Sequence, residues 1–182
     1  MIFLSASLAV GFIIFTAQRN IEVSQSEGEV QYPPVSTFES GCARCHGPQG
    51  SFYGESFGKL PEAKLKKFVK DMMKGPAGLE PTPSDIDAMT AYNQAIAAQK
   101  PFVFIADIDT LKTGVQFSGE CMPGNRLLMI AGKDSLKIQV DQEGKWQSQV
   151  VKQSQRITFR AGNENDTVML DPYESKWTHT LE

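Results

Sequence analysis

The sequence predicts a multidomain chain. An all-α unit over residues 36–100 precedes an all-β antiparallel sandwich over 101–182, behind an N-terminal apolar helix at 1–17 and a linker at 18–35. Three observations predict this order. Met1 to Ala17 carries no charged side chain. The spacing of apolar residues changes from about 3.6 to about 2 near Pro101. Beyond it, six or seven short β-rich runs follow within about 80 residues, separated by turns.

Composition bounds the rest. A hydrophobic fraction of 41% over 182 residues is ordinary for globular protein, so disorder is not the default. The formal net charge of −3 argues against a nucleic-acid binder, which usually carries a basic face. Cysteine occurs only at Cys42, Cys45 and Cys121. An odd count cannot all pair within the chain, which excludes a disulfide scaffold.

The first element, MIFLSASLAVGFIIFTA, spans roughly 25 Å as a helix at 1.5 Å per residue, just short of a bilayer crossing. It reads either as the core of a cleaved export signal or as a retained anchor. No basic segment precedes it, and Phe15 is large where a cleavage site wants a small residue. Both readings imply export. Gln18 to Val35 is polar, holds Pro33-Pro34 and has no sustained period, which is the pattern of a linker.

Helical spacing then begins. Ser36 or Thr37 is placed to cap a short helix running into the cysteines. Gly47 to Gly58, GPQGSFYGESFG, is a loop on its glycines. Pro61 opens PEAKLKKFVKDMMK, in which Leu65, Phe68, Val69 and Met72 mark one apolar face, and Gly75-Pro76 stops it. Ser84 is the expected N-cap of SDIDAMTAYNQAIAAQ, with Asp85 and Asp87 in the first turn and Ile86, Met89, Tyr92 or Asn93, and Ile96 as its stripe. Past Pro101, VQFSG, RLLMIAG, SLKIQVD, KWQSQVV, RITFRAG and TVMLD read as strands.

The stretch GCARCHGPQG, Gly41 to Gly50, carries the chemistry. Cys-x-x-Cys-His suits covalent haem: two thiols reach the porphyrin vinyl groups while the next histidine falls beneath the iron. A zinc site needs further ligands, and only Cys121 and His179 remain, both in the sheet unit. A thioredoxin-like dithiol wants a preceding strand and a βαβ setting, and here a glycine-rich loop follows. Export fits the haem reading.

Residues 36–100 resemble a small class I c-type cytochrome, through CARCHGPQG behind a short helix, a glycine-rich loop, a middle helix ending at Lys74-Gly75 and a last helix with SDIDAMTAYNQAI. The resemblance implies one haem c per chain, thioether bonds from Cys42 and Cys45, and His46 as proximal iron ligand. It also implies that Met89 and Tyr92 cross the N-terminal helix near the haem edge. Such cytochromes place a distal methionine between the middle and last helices. Here that span is GPAGLEPTPSD, with Leu79 about where methionine is expected. Met73 or Met72 is the candidate replacement, and Met89 a further one. The remaining alternative is five-coordinate iron under Leu79. A methionine on an apolar helical stripe is otherwise core filler. Thioether ligation favours electron transfer, and an open iron favours small gases.

GVQFSGECMPGNRLLMIAG followed by VDQEGKW resembles bacterial immunoglobulin-like modules of secreted proteins, which implies a sandwich fold and a docking or adhesive role. Cys121 reads as a buried filler, with an intermolecular disulfide or lipid link as the alternative. Trp146 and Trp177 are expected in the sandwich core, and His179 on a surface strand. Lys59, Lys64, Lys66, Lys67, Lys70 and Lys74 make either a solvated face or a patch steering an acidic redox partner.

The expected function is therefore single-electron transfer between redox partner proteins, with no catalytic residues of its own. The setting is periplasmic or inner-membrane-anchored in a bacterial envelope, with no nucleic-acid partner. The alternatives are a haem sensor or gas-binding module, and a non-catalytic relay subunit of a membrane oxidoreductase complex.

Overall fold

Pro34 fixes where the first helix starts, because its ring sets a helical φ and the amide it lacks is one the first turn leaves free. In the computed structural model, which describes residues 29–54, 56–151 and 156–178, three segments run end to end from there. They are α1 (Pro34–Thr37), a π-helical turn (Phe38–Cys42) and α2 (Ala43–His46). Ser36 and Thr37, the expected caps, lie inside this helix. Pro33 is the N-cap and has no side-chain oxygen to offer. The free amides of Val35 and Ser36 instead donate to the Glu120 carboxylate, at 2.8 and 3.2 Å.

Helix α3 (Glu62–Lys74) follows Pro61 and stops at Gly75, as its glycine and proline predict. Helix α4 (Pro83–Ala98) has its cap two residues before the expected one. Thr82 caps it through a box with Asp85, because Pro83 is well suited to the first helical position. These three helices pack around Val35, Phe38, Leu65, Val69, Met73, Ile86, Met89, Tyr92 and Ile96. The stripe expected on α4 is buried. On α3 the buried row is Leu65, Val69 and Met73, and Phe68 and Met72 each stay 44% exposed. Spacing of four keeps residues 65, 69 and 73 on one line, and the 68–72 row lies beside it.

The stretch read as a linker is tied to this core at its end. Val30 and Tyr32 pack against it, and the amides of Gln31 and Tyr32 donate to Asp85 Oδ1 at 2.7 and 2.9 Å. The apolar stretch 1–17 and His179 lie outside the described residues. Among the described residues no helix is long and apolar enough to cross a membrane.

Seven strands follow: β1 (Val103–Leu111), β2 (Gly114–Cys121), β3 (Arg126–Ala131), β4 (Asp134–Ile138), β5 (Lys145–Val151), β6 (Ile157–Gly162) and β7 (Thr167–Leu170). All paired strands are antiparallel, in two sheets of order β1-β2-β5 and β4-β3-β6-β7. Between them lie Val103, Ile105, Phe117, Leu127, Trp146, Phe159 and Leu170.

Strand β1 was not anticipated, and its burial explains why. Val103, Phe104 and Ile105 are all buried, so the run shows no alternation. Val103 and Ile105 enter the sandwich core, and Phe104 enters the helical core with Phe102, Met122 and Trp177. Trp177 thus packs with the helices rather than between the sheets, unlike Trp146.

Gly119, opposite Ile105 on β1 and Trp146 on β5, has no room for a side chain. A Cβ there falls 2.0 Å from the carbonyl oxygen of Phe104. Gly119→Ala is expected to destabilise by about 3 kcal/mol, read as a lower urea midpoint. A variant as stable as the parent contradicts this close approach of β1 and β2.

Candidate functional site

Most of the residues singled out as haem or iron contacts meet at one cavity in the helical region. Its volume is about 410 Å³, and its walls include Cys42, His46, Met72, Met73 and Met89. They arrive on four elements, each for a local reason. Cys42 ends the π-helical turn and His46 ends α2, one turn apart on the same helical row. Gly47, at φ +75°, then breaks the helix directly behind the histidine. Met72 and Met73 close α3 before Gly75, and Met89 lies on the buried face of α4.

The three methionines differ in setting. Met73 and Met89 are both 2% exposed, whereas Met72 is 44% exposed. Leu79 packs against the helical core and is not among the residues lining the cavity. Cys45 is exposed on α2, one turn after Cys42, and likewise lies off the lining. Burial pushes the Cys42 thiol above its ordinary range, with the neighbouring Arg44 partly offsetting that.

The remaining walls are mostly apolar: Phe38, Phe57, Leu60, Leu65, Phe68 and Val69 among them. Two polar side chains stand inside. Tyr53 stacks on Phe57 at 3.8 Å, packs at a tilt 5.1 Å from the His46 ring, and donates its hydroxyl to Asn93 Oδ1. Asn93 Nδ2 donates in turn to the Met89 carbonyl at 2.8 Å. Burial pushes the Tyr53 phenol well above its ordinary range, so it stays a neutral donor at physiological pH. The loop reading of residues 47–58 missed Phe52, Tyr53 and Phe57 as lining residues. The available signal was three aromatic residues inside a glycine-rich loop, where solvent exposure alone does not call for them.

The loop is held close to α4 by a glycine. Gly50 has φ +66°, and a Cβ there would meet Ile96 and Tyr53 at 2.6 Å. At the mouth the surface is apolar and partly cationic. Phe52 is 73% exposed, and Phe68, Met72 and Lys64 share this rim. Elsewhere on the lysine face, Lys66 pairs with Asp87, and Lys67 with Asp71 at 2.8 Å.

Chemically, these walls can enclose an apolar guest, offer it an imidazole nitrogen from one helix and a thioether sulfur from another, and present the Cys42 thiol on the first. Among the described residues no three of His, Cys, Asp and Glu gather closely enough to hold a metal ion by themselves. Cys121 is fully buried in β2, with its thiol pushed up to about 12 by desolvation, which is the setting of a filler. No protein-family description, characterised protein or solved structure matches this chain.

Proposed function

We propose that the chain is an exported monohaem c-type electron-transfer protein, resembling class I cytochromes in its helical region and immunoglobulin-like modules in its sheet region. The observation that carries the proposal is the gathering of Cys42, His46 and three methionine thioethers on the walls of one largely apolar cavity. That donor set fits haem. An iron porphyrin asks the protein for axial groups and an apolar enclosure rather than a cluster of charged ligands, and both are available here.

When bound, haem supplies a one-electron iron couple. The chain's residues define its setting. Cys42 and Cys45 would hold it through thioether bonds, and His46 would offer its imidazole to the iron. Met73 would be the first candidate to offer the iron a thioether, standing on the cavity wall at the end of α3 beside the following loop, with Met72 next and Met89, at a packing position of α4, third. Phe38, Leu65 and Val69 keep water from the interior, and Tyr53, packed against the His46 ring, limits how that ring can turn. The apolar rim of Phe52, Phe68 and Met72 beside Lys64 gives a redox partner a surface to approach.

The sheet orders support the immunoglobulin-like reading, with one difference from the constant-type arrangement: the fourth strand pairs with β3 instead of completing the first sheet. A docking role in a periplasmic or membrane-anchored envelope complex, with redox proteins as partners, follows from the same reading. So does the absence of a catalytic role of its own.

Methionine replacement tests the ligand. Met73→Ala is expected to abolish the methionine–iron charge-transfer band of the oxidised protein and to open the reduced iron to carbon monoxide. Met72→Ala and Met89→Ala are expected to keep the band. A band lost only in one of the latter two reassigns the ligand. A parent protein that lacks the band and binds carbon monoxide rapidly supports the sensor reading instead.

A further inference from the structure

Cys42 and His46 stand on a helix whose first turn is held from outside the helical region. Glu120, on β2, is only 3% exposed. Its carboxylate accepts from the Val35 amide at 2.8 Å and from the Ser36 amide at 3.2 and 3.3 Å. Val35 is 85 positions away in sequence. No cap from within the helix duplicates this, because Pro33 supplies no side-chain bond. An anionic acceptor is also the favoured charge at a helix start.

A second observation points the same way. Phe102, Phe104, Met122 and Trp177, all from the sheet region, belong to the core that also contains Phe38, Met73 and Met89. Tyr92 links the two, its ring 5.6 Å from Phe38 and 5.1 Å from Phe102. Phe38 in turn lines the cavity, on the same helix as Cys42 and His46. The helix is thus gripped by the sheet at its start and packed against sheet-linked aromatics at its middle.

We infer that Glu120 is a positioning residue for the haem-binding helix, so that the sheet region sets the placement of Cys42 and His46 in the cavity wall. This rests on the haem reading above. The sheet region then completes the haem unit, in addition to any docking role. Glu120 touches no reacting atom; it acts through the helical backbone, which runs without a break from Val35 through the π-helical turn to His46.

The test uses the haem-loaded full chain with Glu120→Gln and Glu120→Ala. In Glu120→Ala, amide exchange at Val35 and Ser36 is expected to accelerate by about tenfold or more. The axial-ligand absorption band is expected to weaken, and the midpoint potential to move from the parent value. Glu120→Gln retains one carbonyl acceptor for two amides, so its changes are expected in the same direction and smaller. It also serves where the alanine variant does not fold. A contact that only adds stability lowers the unfolding midpoint while leaving band and potential unchanged in the folded variants, and that result overturns the inference. Unchanged exchange at Val35 and Ser36 overturns it as well. Failure of the haem reading is separate: it shows as a parent chain without covalent haem, in which the exchange measurement still reports whether Glu120 holds the helix.

Discussion

Replacing Cys42 and Cys45 together by alanine is expected to remove all covalently bound haem. The measurement is haem retained on the denatured polypeptide, and the expected change is from one equivalent to none. The double variant is also expected to lose the constraint that would hold haem beside α2, so that any residual colour becomes extractable by acidified organic solvent. Single variants are expected to retain haem through one thioether, in reduced yield. The asymmetry between the two sites is informative, because Cys42 lines the cavity and Cys45 is exposed beside it. A double variant that keeps covalent haem contradicts the assignment of both thiols.

The second large effect is expected at Asp85, which does not line the cavity. Its side chain is fully buried. Oδ1 accepts from the amides of Gln31 and Tyr32, and Oδ2 from the amide and hydroxyl of Thr82, all at 2.7 to 2.9 Å. One carboxylate therefore holds the lead-in to the first helix and the capping box of α4. Asp85→Ala leaves these donors without their acceptor and opens space in a packed core. A loss of about 3–5 kcal/mol is expected, from the weight of charge-assisted bonds and the penalty for buried unsatisfied donors. Chemical denaturation checks it. Asp85→Asn, with one carbonyl oxygen remaining, is expected to fall between the variant and the parent. A loss below about 1 kcal/mol for the alanine variant contradicts the buried network.

What sequence could show here depended on whether the cause was local. Pro61, Gly75 and the stripe Ile86, Met89, Tyr92 and Ile96 act within one or two turns, and the helices form where those residues direct. Alternation in KWQSQVV likewise reflects one buried and one largely exposed face, and that strand is present as expected, as is RLLMIA, a continuous apolar run. Strand β1 escaped because Val103, Phe104 and Ile105 are buried on both faces against different cores, which erases the period at its start. The first helix kept its location but not its cap, since the capping group belongs to β2. Ser84 was passed over because Pro83 and Thr82 form a better start immediately upstream.

The site divides along the same line. Cys42, Cys45 and His46 stand out in the sequence because the spacing that covalent haem attachment asks for lies on one short segment, and the structure places Cys42 and His46 on the cavity wall. The distal side has no such local constraint. Met73 and Met89 are equally buried, and nothing in their helical spacing separates a thioether ligand from a thioether that fills space. Tyr53, Phe57 and Asn93 meet only after the loop folds back over α4, so their association depends on tertiary packing. Glu120 lies further still from any local pattern.

The most direct measurement is the intact mass of the purified chain under denaturing conditions, after expression in a host able to attach haem, together with its reduced-minus-oxidised spectrum. The account predicts the polypeptide plus one haem, with sharp low-spin bands on reduction. A colourless chain at the mass of the polypeptide alone, from a host that matures another c-type cytochrome in parallel, contradicts it.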